Sequence, residues 1–203
     1  RLDRLSDQLS LPKSASVIIA HSQLKTNCET STQPFAYSDL VTAHNGIITN
    51  YSQLWSSIGR INPNPDFDST IIPAYIDHEI ASGKSLECAA QSLLNSVVGS
   101  VTAIVHHRSL RKFLLISNCR NLFYLKQGKH TFVSSERYFL ESVFRGYNAR
   151  LVSGVISFDV SEVCSTAIRP STLNSIPRLS TESGSVSLPK LISSGEESHL
   201  LKT

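Results

Sequence analysis

The apolar positions of this chain follow helical spacing over one long stretch. Between residues 71 and 94 they recur every three or four positions, which predicts two amphipathic helices. Asp68 or Ser69 is expected to cap the first helix, because short polar side chains accept hydrogen bonds from the first free amides. Gly83 is expected to end that helix, and Ser85 to cap the second one.

Short apolar runs rich in β-branched residues predict the strands. Two of them, at 17–20 and 40–43, precede these helices, and a further short helix is expected over 47–58. Beyond residue 99 the apolar runs are separated by basic and polar turns, which is typical of an antiparallel meander. The expected elements there are strands at 101–106, 113–117, 122–126 and 131–134, a helix at 138–144, and strands at 149–152 and 155–160. This order indicates an α+β fold in which helices pack on antiparallel sheets.

The composition changes near residue 165. The whole chain has 203 residues, of which 40% are apolar and 17% charged, and this is typical of a globular protein. The last 39 residues instead hold ten serines and three prolines without any sustained period. We therefore predict one domain over residues 1–164 and a Ser/Pro-rich C-terminal tail over 165–203 that is extended or disordered.

Charge and cysteine usage argue against several classes of protein. The net charge is +3 and no run of lysine or arginine occurs, so we predict no nucleic-acid partner. No apolar run approaches the ~20 residues of a membrane helix, so we predict no membrane partner. The four cysteines are isolated and lack metal-ligand spacing, which predicts no metal site and favours a reducing compartment such as the cytoplasm. They are Cys28, Cys88, Cys119 and Cys164.

The most informative stretch is His44-Asn45-Gly46, directly after an apolar run. On spacing alone, Asn-Gly at this point favours an ordinary hairpin turn. The functional alternative is an oxyanion hole, in which the Asn45 side-chain amide and the Gly46 backbone amide donate to one oxygen. Glycine would allow the backbone to approach that oxygen closely.

Several segments occur in the same order as motifs of class II glutamine amidotransferases. AHNGIITNYSQL, which begins at Ala43, resembles the family's His-Asn-Gly segment followed by an aliphatic pair and an asparagine. The segment at 19–28 is similar to the GHTRWATHG type, and Gln33-Pro34-Phe35 to the Gln-Pro-Phe that follows it. Phe67-Asp68-Ser69-Thr70 resembles the T-D-T/S-E motif that opens a helix, and residues 133–136 a later A-S-D/E motif. The matches extend from Arg1 to about residue 160.

The resemblance implies an N-terminal-nucleophile hydrolase fold, an αββα sandwich of two antiparallel sheets between helix layers. It implies hydrolysis of glutamine to glutamate and ammonia by an N-terminal cysteine whose α-amino group is the general base. By this match Asn45 and Gly46 form the oxyanion hole, and Asp68 holds the α-ammonium group of the substrate. Thr26 is expected to help bind glutamine. We predict no cofactor, and a partner subunit or acceptor domain that uses the ammonia.

The chain also departs from the family pattern. Gln23 stands where the family has the arginine that pairs with the substrate α-carboxylate, which would weaken binding by about 1–3 kcal/mol. Asn27-Cys28 stands where the family has His-Gly; we expect Asn27 to line the pocket and Cys28 to be an unreactive loop thiol rather than a substitute nucleophile. The nucleophile and the first strand or strands are expected upstream of Arg1 and hence absent from this chain.

Three functions remain open at this point. The first is a glutamine-hydrolysing amidotransferase domain, whose activity in this chain is impaired or lost without the nucleophile. The second is a non-catalytic scaffolding subunit that keeps the fold inside a larger assembly. The third is a sensor module that binds glutamine or another amino acid.

Overall fold

The structure of the protein is a computed structural model that describes residues 16–21 and 32–160. Eight strands and four α-helices lie in these ranges, and a 3-10 helix at Asp68–Thr70 directly precedes the second α-helix. In chain order the elements are β1 (Phe35–Tyr37), β2 (Leu40–Ile48), α1 (Tyr51–Ser57), α2 (Ile71–Ala81), α3 (Leu86–Ser96), β3 (Gly99–His107), β4 (Lys112–Ser117), β5 (Phe123–Gln127), β6 (His130–Ser134), α4 (Arg137–Val143), β7 (Arg150–Leu151) and β8 (Gly154–Asp159).

The strands form two antiparallel sheets. One sheet has five strands in the order β1-β2-β3-β4-β8, and the other has three in the order β6-β5-β7. The prediction of a single meander from residue 101 to 134 is therefore wrong, because the chain crosses to the second sheet after β4. The physical reason lies in β4, where Leu114, Leu115 and Ile116 are all fully buried, so that both faces of the strand need a covering layer.

Three apolar clusters separate the layers. The largest joins α1, α2 and α3 to one face of the five-stranded sheet, through residues such as Leu93 and Leu114. A second cluster around Leu115 and Leu122 lies between the two sheets. A third, around Leu125 and Leu140, packs α4 against the outer face of the smaller sheet. The expected α+β class with antiparallel sheets is confirmed, and the packing order of the described elements is helices, sheet, sheet, helix.

The helix ends are partly as predicted. Ser85 caps α3, because its side chain accepts a hydrogen bond from the Cys88 amide at 3.2 Å. Gly83 follows the end of α2 with a φ of 93°, a left-handed conformation that glycine adopts readily. Neither Asp68 nor Ser69 caps a helix with its side chain, so that prediction is wrong. Their side chains bond instead to β2, as described below.

Three sequence predictions near β2 need correction. Residues 17–20 form no strand: Val17 and Ile19 are half-buried, whereas Ala20 is exposed and Ile18 is 57% exposed, so the run is not a buried one. His44-Asn45-Gly46 is not a turn, because β2 and β3 stay in register through this segment. For the same reason Ile47 and Ile48 belong to β2, and the predicted helix begins only at Tyr51.

Residues 165–203, predicted to be a tail, lie outside the described residues, so the predicted boundary at 164 stays a prediction. None of the described helices has the length and apolar character needed to cross a membrane.

Candidate functional site

The backbone amides on the two edges of β2 form hydrogen bonds with different kinds of partner. Its odd-numbered residues direct their backbone amides to β3, as the 2.9 Å bond from the Thr49 amide to the Val98 carbonyl just past the strand shows. In an antiparallel ladder the even-numbered residues then point the other way. β1 covers that outer edge only as far as the pair of Phe35 with Thr42, and the amides of His44, Gly46 and Ile48 lie beyond it.

Side chains take the place of a strand on this outer edge. The His44 amide donates to Gln33 Oε1 at 2.5 Å, and the Ile48 amide donates to Asp68 Oδ2 at 2.7 Å. The Gly46 amide lies between these two. Gly46 is paired with Val101 of β3, and the Val101 amide points away from β2, to Asn118. The two residues therefore form a pair without mutual backbone hydrogen bonds, and the ladder gives the Gly46 amide no acceptor among the described residues.

Gly46 is the residue that makes this arrangement feasible. Its φ is 144°, which side chains rarely tolerate, and a Cβ there would lie 2.2 Å from the Ser100 carbonyl oxygen. The same Cβ would lie 2.9 Å from Nε2 of His44. Only glycine fits between these two groups, so the residue without a side chain is also the one whose amide points to the outer edge of β2.

Asp68 is brought to the edge by the loop that precedes α2. The Phe67 ring packs edge-on against Phe35 of β1, with 5.3 Å between centroids. Thr70 Oγ1 donates to the Phe67 carbonyl at 2.8 Å and so closes the turn that holds Asp68. The carboxylate is half-buried and lies at the start of a helical segment, where the partial positive charge of the helix favours an anion.

The Gly46 amide and the Asp68 carboxylate thus lie along one strand edge. Ile48 is two residues from Gly46, which corresponds to roughly 6.6 Å along a strand. One group is a hydrogen-bond donor and the other an anion. Together they match the two ends of a ligand that has a polar oxygen and a cationic group about that far apart.

Asn45 projects differently. Side chains alternate along a strand, so Asn45 lies on the face toward the second sheet, while His44 lies on the helix-facing side. Asn45 is exposed, and its cross-strand neighbour is Thr102. No hydrogen bond joins its side chain to another residue in the described ranges. Its carboxamide leaves the face of the sheet and the Gly46 amide leaves the strand edge, so the two donors start from adjacent residues.

A buried histidine links β2 to the Asp68 loop. His44 is 3% exposed, and its Nδ1 lies 2.8 Å from Oγ of Ser69. Burial lowers the pKa of His44; the charge of Asp68 and the Ser100 carbonyl act in the opposite direction, and His21 adds to the lowering. Its Nε2 is buried and has no hydrogen-bond partner of regular geometry among the described residues. His44 is therefore a neutral imidazole near pH 7.

His21 completes the surroundings of this strand edge. Burial lowers its pKa, and a hydrogen bond to the backbone of His44 acts in the opposite direction. His21 thus lies beside the backbone of His44, and His44 Nε2 lies beside Gly46. Neither brings a positive charge that would repel a ligand ammonium group at neutral pH.

Of the predicted site residues, Gly46 and Asp68 lie along the same outer edge of β2. Asn45 is adjacent to Gly46 in the strand, and its side chain lies on the sheet face toward the second sheet. Gln23, Thr26 and Asn27 lie outside the described residues, as does Cys28. Sequence reasoning missed the roles of His44 and Ser69 on this edge. The position of His44 could have been predicted, because alternation along a strand over 40–48 places the His44 side chain on the sheet face opposite to that of Asn45.

A shallow apolar depression occurs elsewhere on the domain. It lies around Val41 and His106, with Ile19 and Pro34 on its rim. Val41 is five residues from Gly46, or roughly 16 Å along the strand. The depression is therefore separate from the polar strand edge.

Comparison with known proteins adds evidence on the fold. No protein-family model matches the chain, and no curated protein matches it. Among solved structures it is similar to glutamine phosphoribosylpyrophosphate amidotransferase from B. subtilis complexed with ADP and GMP. The TM-score is 0.51 at 19% identity, over 67% of this chain and 33% of that one.

A second solved structure is that of the allosteric regulatory enzyme of purine biosynthesis, with a TM-score of 0.46 at 19% identity, over 60% of this chain and 28% of that one. That score is too low to support an argument. The chain spans about a third of the length of the B. subtilis amidotransferase. At this identity the likeness concerns the fold alone, and it supports an arrangement of antiparallel sheets and helices like that of the B. subtilis structure.

Proposed function

We propose that this domain binds glutamine as a class II glutamine amidotransferase domain does, at the outer edge of β2. In this proposal the Gly46 amide and the Asn45 side chain bind the carboxamide oxygen, and Asp68 binds the α-ammonium group. The observation that carries the proposal is a backbone donor that no described residue accepts and a half-buried carboxylate, about two residues apart on one strand edge. The fold likeness to a glutamine-using amidotransferase supports it.

The size of glutamine fits this spacing. Five bonds separate its α-nitrogen from its amide oxygen, and bond lengths of about 1.5 Å give a reach of roughly 6 Å. That reach is close to the spacing of the two amides on the β2 edge. A carboxylate paired with an ammonium group makes the stronger of the two contacts, since charge-assisted hydrogen bonds are roughly twice as strong as neutral ones.

Gly46 and Asn45 also suit the reaction that follows binding. When a nucleophile attacks a carboxamide, negative charge develops on its oxygen, and fixed donors that face this oxygen stabilise the transition state. The Gly46 amide is fixed by the β2–β3 ladder. In the family that the motifs resemble, the nucleophile is an N-terminal cysteine, and the ammonia formed is passed to a partner subunit or acceptor domain; we extend both features to this protein as part of the proposal.

The binding step is tested by calorimetric titration of the protein with glutamine. Asp68→Asn is expected to weaken binding at least tenfold, because it removes the charge that pairs with the ligand ammonium. Asp66→Asn is the matched control, since Asp66 is an exposed aspartate in the same loop and its loss changes the net charge equally. Equal affinities of the two variants, or no heat with the unchanged protein at millimolar glutamine, would overturn the proposal.

The hydrolytic step is tested separately, on the protein with its natural N-terminus. Ammonia release from glutamine that is abolished by a cysteine-blocking reagent supports the amidotransferase function. Binding without ammonia release would instead support the glutamine-sensing alternative. If the protein neither binds glutamine nor releases ammonia, the scaffolding alternative is the one that is supported.

A further inference from the structure

His44 and Ser69 connect the proposed site to the interior of the domain. Ser69 is 2% exposed, and its Oγ lies 2.8 Å from Nδ1 of His44 and 3.3 Å from Oδ1 of Asp68. The other carboxylate oxygen, Oδ2, accepts the Ile48 amide at 2.7 Å. Both oxygens of Asp68 are thus held, one by the backbone and one by a buried hydroxyl.

A relay from His44 to Asp68 requires one direction for each hydrogen bond. An ionised Asp68 only accepts, so in the relay the single Ser69 hydroxyl proton points to the carboxylate and not to His44. Ser69 Oγ must then accept from His44, which requires the imidazole proton on Nδ1. The chain of donors runs from His44 through Ser69 to Asp68, and it leaves Nε2 without a proton.

The other ring nitrogen, Nε2, lies in the neighbourhood of the Ser100 carbonyl, an acceptor that would favour the opposite tautomer. Nε2 is buried and has no hydrogen-bond partner in the described part of the chain. It lies so close to Gly46 that a Cβ there would approach within 2.9 Å. The imidazole therefore lies between Gly46 and the serine that contacts the carboxylate.

We propose that His44 and Ser69 form a buried hydrogen-bond relay that orients the Asp68 carboxylate toward a ligand ammonium group. His44 is a positioning residue, because it acts through Ser69 and does not touch the ligand. The inference rests on the proposed glutamine site, and it adds which buried groups determine the preference for an α-amino ligand. A carboxylate fixed in this way recognises an ammonium group more strongly than one that rotates freely.

The experiment compares glutamine with glutaramate, the analogue that lacks the α-amino group, by calorimetry. The unchanged protein is expected to bind glutamine about tenfold more tightly, because only glutamine pairs with Asp68. Ser69→Ala is expected to remove most of this preference by weakening glutamine binding while the affinity for glutaramate stays the same. Ser69→Thr keeps the hydroxyl and is expected to restore the preference.

Ser117→Ala is the matched control. Ser117 is a serine that is 1% exposed on β4, and its hydroxyl has no described partner. Loss of a buried serine hydroxyl there is expected to leave the ligand preference unchanged. A preference that is the same in Ser69→Ala and the unchanged protein, or one that falls equally in Ser117→Ala, would overturn the relay.

A second measurement separates this inference from the proposed function. Nitrogen NMR of the imidazole reports which ring nitrogen of His44 carries the proton, with no ligand present. The relay requires the proton on Nδ1, so a proton on Nε2 in the unchanged protein would overturn it even if glutamine binds. A proton on Nδ1 together with no glutamine binding would instead overturn the proposed function, and with it the ligand-orienting part of the relay.

Discussion

The two edges of β2 form different kinds of hydrogen bonds: the inner edge pairs with a strand and stabilises the sheet, whereas the outer edge carries the candidate site. On the inner edge, nine residues of β2 stand in register with β3, from Leu40 opposite His107 to Ile48 opposite Gly99. On the outer edge, β1 contributes three pairs, and beyond them Gln33 and Asp68 bond the strand through their side chains. A backbone ladder tolerates many side chains, whereas the outer edge depends on particular ones.

The comparison also shows where a ligand can enter. A strand amide that no described residue accepts is a directed donor, and the pairing with β3 fixes its position. The inner edge holds Gly46 in place, and the described part of the outer edge leaves its amide without an acceptor. The predictions below test this division, from the largest expected effect on stability to the smallest.

Gly46→Ala is expected to disturb both edges at once. The new Cβ would meet the Ser100 carbonyl, and the φ of 144° is unfavourable for alanine. Overpacking typically costs about 1–3 kcal/mol and a strained backbone about 1–3 kcal/mol more, so the free energy of unfolding is expected to fall by roughly 3 kcal/mol or more, measured with urea.

Gly128→Ala is the control for the cost of placing alanine at a positive φ without a close contact. Gly128 has a φ of 59° and open space where a Cβ would lie. Its substitution is expected to cost about 1 kcal/mol. Equal losses in the two variants would show that the close approach of Gly46 to β3 contributes nothing.

Gln33→Leu tests the side-chain bonding of the outer edge. It keeps a similar volume but removes the acceptor of the part-buried His44 amide. A buried donor without a partner costs about 1–3 kcal/mol. Ser100→Ala is the inner-edge counterpart, because it removes the acceptor of the exposed Ile47 amide, which water can replace; a cost below about 1 kcal/mol is expected there. A larger loss in Ser100→Ala would reverse the comparison.

Acid is expected to weaken the outer edge through His44. Burial lowers the pKa of His44, so the unfolded chain binds this proton more readily than the folded one. Its contribution is complete above about pH 6.5, the ordinary histidine pKa. It is lost as the pH falls from there through the lower pKa of the folded state, at no more than about 1.4 kcal/mol per pH unit.

Urea unfolding between pH 8 and pH 5 measures this slope. Burial also lowers the pKa of His21 and of His106, so the share of His44 is the part of the slope that disappears in His44→Gln. The same slope in both proteins would mean that His44 takes up its proton as easily in the folded state as in the unfolded one.

The sequence predicted the elements whose causes are local. Helical spacing and the Ser85 cap identify α3, and β-branched runs identify β3 and β4, because these signals depend on near neighbours. Asn45-Gly46 was ambiguous for a physical reason. The same dipeptide suits a turn or a strand with an unusual φ, and only the pairing with Val101 and Thr102, more than fifty residues away, decides between them.

The candidate site was only partly predictable for a similar reason. Motif order indicated Gly46 and Asp68, yet nothing near them in the chain indicates that Asp68 bonds the Ile48 amide rather than capping a helix. The contacts from Gln33 to His44 and from Ser69 to His44 span 11 and 25 residues. Such contacts depend on the folded arrangement, which neither periodicity nor turn chemistry encodes.

The strand order of the larger sheet has a consequence for the protein as it is made on the ribosome. β8 is the hydrogen-bonded neighbour of β4, yet the whole smaller sheet is synthesised between them. The backbone groups on the outer edge of β4, beside Leu114 and Ile116, therefore stay unpaired until β8 (Gly154–Asp159) has left the ribosome. An unpaired strand edge favours association with other chains, so we expect β4 to be prone to such association until β8 has been made.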